Sequence, residues 1–293
     1  MKGGVDSMVC LRIAGTALVA LSLGTSAYAQ GQGRRFERHF TVQGKPVVTV
    51  QNATGRIQVR AWDKQEVMIV GQRGSTNVEV DTEQVGNRIE IATRVLSENA
   101  NPDALRADYD ISVPAESELQ VRSDSGNVTV DSVHGDMSFD TVAADLELQD
   151  VEGYLVVKSI GGSTVCTRCS GRLDATSISG NVKLLQPTMD NVRVQTSSGN
   201  ILFDGSFMNR GIYVLKNYSG TIEVRFSSTD SFDVRATSLY GNVINQAPVV
   251  PDRHNMPAPR SGLAKSLFGT MNDGRAKVEL SSFNGTIKIS KRE

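Results

Sequence analysis

A glycine recurs on a nine-residue grid through the middle of this chain, at Gly126, Gly135, Gly153, Gly162, Gly171 and Gly180, with Ala144 in the one gap. Self-similarity at a fixed short period is the signature of stacked repeats, and it constrains the fold before any single residue is considered. Each unit reads Ser/Thr-x-x-Gly, a polar residue, then apolar-x-apolar. Ser123-Asp124-Ser125-Gly126-Asn127-Val128-Thr129-Val130 is one copy, and Ser177-Ile178-Ser179-Gly180-Asn181-Val182-Lys183-Leu184 is another. Glycine followed by Asn or Asp suits a turn that needs positive φ. The alternation then places two side chains on one face of a short strand. Inward pairs run from Val128/Val130 through Leu146/Leu148, Val182/Leu184, Ile212/Val214 and Phe232/Val234 to Ile287/Ile289. A third inward position is expected two residues before each glycine, at Val133, Val142, Val151, Ile160, Cys169 and Ile178.

Beyond Gly180 alternate units diverge. One track keeps its turn residue at Gly199, Gly220, Gly241 and Gly285, while the other carries Asp190, Arg210 and Asp230. The first track also places Ser, Thr or Asn three residues before the glycine, at Ser123, Thr141, Ser159, Ser177, Thr196, Asn217, Ser238 and Ser282. The structural period is therefore two units. This predicts an all-β fold, a flattened β-solenoid of about 18–21 residues per coil, with coils stacked about 4.8 Å apart and a polar ladder along one edge. The ladder is expected to bond its own turns rather than a ligand.

Three segments fall off the grid. Residues 1–29 read as a signal peptide: Lys2 and Arg12 supply positive charge, Ile13 to Leu23 is a short apolar run, and Ala27-Tyr28-Ala29 is a cleavage site before Gln30. Eleven apolar residues are too few to span a bilayer, so no transmembrane span is expected in the mature chain. Residues 30–115 hold strand-like runs without the nine-residue period and are read as an N-terminal β section capping the solenoid, which occupies 116–293. Within it, 246–275 is rich in proline (Pro248, Pro251, Pro257, Pro259), carries a helix-compatible run around Leu263 to Phe268, and reads as an inserted loop.

Several segments together resemble the DUF4097 family. They are Gln51-Asn52-Ala53-Thr54-Gly55-Arg56-Ile57-Gln58-Val59 followed by Trp62-Asp63, then Tyr109-Asp110-Ile111-Ser112-Val113-Pro114, then Leu119-Gln120-Val121 and the glycine-turn repeats. The resemblance covers about Val47 to Ile289. It implies an exported, adhesin-like β-repeat protein, and it transfers no catalytic residues because the family has no agreed ones.

The side-chain chemistry is sparse. A net charge of −1 argues against nucleic-acid binding, which needs a basic stripe. Cys166 and Cys169 form a C-x-x-C on inward positions. They read as two small core residues or as a local disulfide, since export places them in an oxidising compartment. Zinc is disfavoured because the only histidines, His39, His134 and His254, are widely spread. Calcium-binding β-rolls also have a nine-residue period, but they need two glycines and an aspartate per unit. No cofactor and no metal site is expected.

Three functional readings remain. The first is a non-enzymatic adhesin-like or envelope interaction module that meets an unidentified protein or glycan partner in the periplasm, at the cell surface or outside the cell. Val165, Leu202, Tyr213 and Ile244, taken as outward apolar residues, are candidates for its contact patch. The second is a carbohydrate-active β-helix, a lyase or hydrolase, which needs a carboxylate pair. Of the outward residues only Glu147 and Lys183 suggest a catalytic neighbourhood, and a solvated mixed surface explains them equally well. The third is a periplasmic scaffold or envelope-stress accessory.

Overall fold

The structure, a computed structural model, describes residues 35–96, 101–251 and 265–292. The proposed signal peptide at 1–29 and residues 252–264 of the proline-rich stretch lie outside the described residues. Among the described residues the regular structure, apart from one short 3-10 turn at Pro102–Leu105, is all strand, wound as one continuous sheet nearly round an axis.

Two parallel ladders make up the coils. In the second, Leu146, Thr164, Val182, Ile201 and Ile222 pair in turn, at separations of 18, 18, 19 and 21 residues. The expected coil length is thus the observed one. The first ladder stacks Leu119, Met137, Leu155, Leu173, Val192 and Tyr213 in the same way. Val, Leu, Ile and Phe from both ladders meet in a single core. Branched and aromatic side chains suit a pleated sheet closed over an apolar interior.

The chain does not stack in simple sequence order. Ala276–Ser282 lies between Ile212–Asn217 and Phe232–Ser238, parallel to both, and Thr286–Lys291 lies between Thr221–Phe226 and Asn242–Gln246. The C-terminal coil therefore sits one layer inside the end of the stack. Lys265–Met271 then covers Phe232–Ser238 as an antiparallel strand. The described part of the helix-compatible run is thus strand, because an otherwise open sheet edge supplies backbone partners that outweigh local helix propensity.

At the other end, Val47–Trp62 runs in register with Glu118–Asp131, placing Gly55 on Gly126. Two antiparallel steps follow outward: Glu66–Arg73 on Ala107–Pro114, and Arg35–Thr41 on Glu66–Arg73.

The glycines are required for a reason broader than turn geometry. Gly126, Gly162, Gly180, Gly199, Gly285 and Gly241 stand one above another, and a Cβ on any of them would lie between 1.9 and 2.1 Å from the carbonyl oxygen of the residue stacked against it. Of these six only Gly126, at φ 111°, also has a positive φ. Close approach of successive backbones, more than φ, fixes the column.

The structure joins Cys166 and Cys169 in a disulfide inside the core. Between them Arg168, at φ 52°, makes the corner, and its guanidinium meets Asp150 of the preceding coil at 2.6 Å. Closing so short a loop removes little chain entropy, so reduction is expected to cost about 2 kcal/mol. Intact mass before and after a reductant under denaturing conditions checks the bond. A chain that gains no hydrogens on reduction would show the pair to be free thiols.

Candidate functional site: an exposed ridge at one corner of the coil

The site begins with the polar ladder. Ser177, Thr196, Ser238 and Ser282 point inward and accept hydrogen bonds from the backbone N–H of Gly180, Gly199, Gly241 and Gly285, at 2.9, 3.0, 3.1 and 2.8 Å. Each hydroxyl satisfies a donor that the tight turn would otherwise bury unpaired. Because each rung points in, strand alternation sends the next residue out.

That alternation corrects the third inward position. Val133, Val151 and Cys169 are buried, but Val142, Ile160 and Ile178 are between 43% and 55% exposed. The grid treats the two corners of the coil alike, whereas the structure does not. At one corner a left-handed residue (Ser132, Asp150 or Arg168) turns the chain so that the next side chain enters the core. At the other the rung hydroxyl already fills the inside.

The exposed residues stack. Gly161 N donates to Val142 O at 2.7 Å, Ser179 N to Ile160 O at 2.9 Å, and Ser198 N to Ile178 O at 2.8 Å. The column continues through Ser197 to Tyr218 and Phe283, with Ser219 N on Ser197 O and Asn284 N on Tyr218 O, both at 2.8 Å. At that end the rings of Tyr218 and Phe283 lie parallel with centroids 4.5 Å apart, and Tyr240 meets Phe283 edge-on at 5.1 Å. Tyr218 is 58% exposed, Tyr240 55% and Phe283 38%. A shallow groove of about 510 Å³ runs beside the aromatic end.

The residues singled out as outward apolar contacts are scattered over other parts of the coil. Val165 and Leu202 are half-buried on the second ladder, and Ile244 is exposed on its end strand. Tyr213 is buried, because the inward pair of its strand is Tyr213/Leu215 and not Ile212/Val214. Its hydroxyl donates to Met189 O at 2.6 Å and accepts from Met208 N at 2.7 Å. Glu147 and Lys183 share a column with Val165 between them.

A second groove, lined by Asp204, Glu223, Arg225, Lys288 and Arg292 among others, holds the densest charge. Glu223 meets Arg225 at 2.9 Å and Lys288 at 3.4 Å, and Asp204 meets Arg292 at 2.8 Å. Burial alone would raise the Glu223 carboxyl, but Arg225 and Lys288 outweigh it and hold the group below its ordinary range. Glu223 is paired with Arg225 of its own strand and Lys288 of the adjacent coil, and Asp204 with Arg292 at the end of that same adjacent strand. Among the described residues no group of three or more His, Cys, Asp or Glu side chains is placed to hold a metal, and no helix is long and apolar enough to cross a membrane.

Comparison with solved structures finds low-identity relatives of similar extent. A putative lipid binding protein from Parabacteroides distasonis ATCC 8503 is 14% identical at a TM-score of 0.45, covering 90% of this chain and 98% of that one. A putative adhesin from Bacteroides fragilis NCTC 9343 is 13% identical at 0.42, covering 87% and 97%. A putative adhesin from Parabacteroides merdae ATCC 43184 is 6% identical at 0.40, covering 90% and 98%. No curated protein matches the chain. A family model matches residues 34–290, and the chain belongs to that family, Toastrack DUF4097.

Proposed function

We propose that this protein is an exported, non-enzymatic β-solenoid that acts as an adhesin-like or envelope interaction module, using the corner ridge as its contact surface. One observation carries the reading: at one corner of the coil Val142, Ile160 and Ile178 on three successive coils and, beyond Ser197, Tyr218 and Phe283 on the next two are large, apolar and exposed. Single exposed apolar residues are ordinary, but a stacked row of them is a contact surface. A solenoid suits such a role because it extends one corner over many coils. The pairing of Asp204 and Glu223 with cations favours this reading over a hydrolase or lyase, whose carboxylates must be available to substrate. Export is supported by the leader-like segment at 1–29 and by the pairing of Cys166 with Cys169.

The test has two arms. Fractionation and protease shaving of intact cells should place the chain outside the cytoplasm; recovery only in the cytoplasm would end the export reading. Purified full chain should be retained by envelope fragments of its own organism. A Val142→Ser, Ile160→Ser, Ile178→Ser variant should lose most of that retention while keeping its fold, since all three side chains already face solvent. Undiminished retention would remove Val142, Ile160 and Ile178 from the contact surface, and turnover of an envelope glycan would make the protein an enzyme.

A further inference from the structure

We infer that the groove beside Tyr218 and Phe283 binds a neutral saccharide chain lying along the solenoid axis, which rests on the reading of the protein as an interaction module and names its ligand class. The groove has two unlike sides. The rings of Tyr218 and Phe283 form an apolar wall, and its floor includes Gln195, Lys216, Ser281 and Thr237. These four come from four adjacent coils: Gln195 pairs with Lys216, Lys216 with Ser281, and Ser281 with Thr237. The floor therefore offers one polar side chain about every 4.8 Å in a straight line. A polysaccharide lying along that line presents hydroxyls to the same row of polar side chains.

Charge narrows the choice. The one cation among these six residues, Lys216, is held by Glu279 at 2.8 Å, so the floor is amide, hydroxyl and a neutralised pair. A strongly anionic ligand meets no unpaired cation there. An acyl chain would fit the ring wall but would strip water from the floor without replacing its hydrogen bonds, which is costly for each group. An added peptide strand has no edge to join, because the strands bearing Gln195, Lys216, Ser281 and Thr237 are each paired on both sides. A pyranose combines an apolar C–H face with a rim of hydroxyls, matching one wall and one floor.

Affinity electrophoresis of the full chain in gels containing soluble neutral glucans, galactomannan or glycol chitin, followed by calorimetry, tests this. At least one of these polymers should retard the protein, and high salt should leave the retardation unchanged. Tyr218→Ala and Phe283→Ala should each weaken binding about tenfold or more. Tyr154→Ala, which removes an exposed ring elsewhere on the coil, should leave it unchanged. Melting curves of all three variants should match the parent, since each ring is partly solvated. The inference fails if none of these polymers binds, if binding survives loss of both rings, or if only anionic glycans bind and salt abolishes it. If the chain is retained by envelope fragments through a protease-sensitive component and by none of these polymers, the module reading stands and the saccharide reading falls.

Discussion

A Gly180→Ala variant is expected to lose roughly 3 to 4 kcal/mol of stability, read as a fall in the denaturant midpoint. The added methyl would stand 2.1 Å from Gly162 O and 2.9 Å from the Ser177 hydroxyl that caps the Gly180 amide. Neither neighbour can yield cheaply. The carbonyl belongs to the backbone of the next coil, and moving the hydroxyl leaves a buried N–H unpaired. Relief would require prising apart two coils, which breaks ladder hydrogen bonds on both sides of the turn. Gly86→Ala is the matched control. Gly86 has φ +61°, but a Cβ placed there would meet nothing within 4 Å, so the change should cost only about 1 kcal/mol. Equal losses for the two variants would show that turn conformation, not coil spacing, demands the glycine. Ala144, buried in Met137–Gln149, is the one place in the column where the sequence itself carries a methyl.

The difference between these two demands on glycine marks how far the sequence could be read. The period, the two tracks and the polar rungs were legible because each recurs, and recurrence averages out local exceptions. Asn52-Ala53-Thr54-Gly55 could have been read the same way, since it repeats the pattern of Ser123-Asp124-Ser125-Gly126, on which it stacks. What recurrence could not show was any feature that differs between the corners. Val133 and Val142 occupy the same place in the nine-residue unit, yet one faces the core and the other faces water, because a left-handed residue precedes only the first. The candidate site lies at the second corner, so the period that revealed the fold concealed the ridge. The threading of the C-terminal coil into the stack was equally hidden. It depends on which sheet edge is open when the chain returns, and Ala276–Ser282 would satisfy several positions by pattern alone. Likewise, the aromatic cluster of Tyr218, Phe283 and Tyr240 unites residues from three coils only because of that threading.

Tyr213 is where pattern and packing conflict most directly, and its substitutions separate the two. Reading Ile212 and Val214 as the inward pair gives the strand an ordinary aliphatic face and puts the tyrosine in solvent. In the structure the strand is shifted by one residue, and Tyr213 packs 4.7 Å from Phe207 and 5.4 Å from Phe203 by ring centroids. The larger ring is accepted inside because its hydroxyl has two backbone partners, Met189 O and Met208 N. Tyr213→Phe is expected to cost about 1 to 2 kcal/mol, since it leaves those partners unpaired. Tyr213→Ala should cost roughly 5 kcal/mol, because it also empties the space its ring fills against Phe203 and Phe207. An outward Tyr213 would make both changes nearly neutral, within about 0.5 kcal/mol. The phenol gives a second readout. Burial pushes its pKa from 10.0 up to about 12, against the Met208 amide that pulls it down. The unfolded chain therefore releases this proton first, and stability that is complete below pH 10 is lost as pH rises towards 12. Tyr109, shifted the same way by burial, adds a parallel loss, so Tyr213→Phe should reduce the alkaline slope without abolishing it. An unchanged slope would return Tyr213 to the surface and overturn the one-residue shift of the strand that turns Asn217 inward and leads into Tyr218 on the ridge.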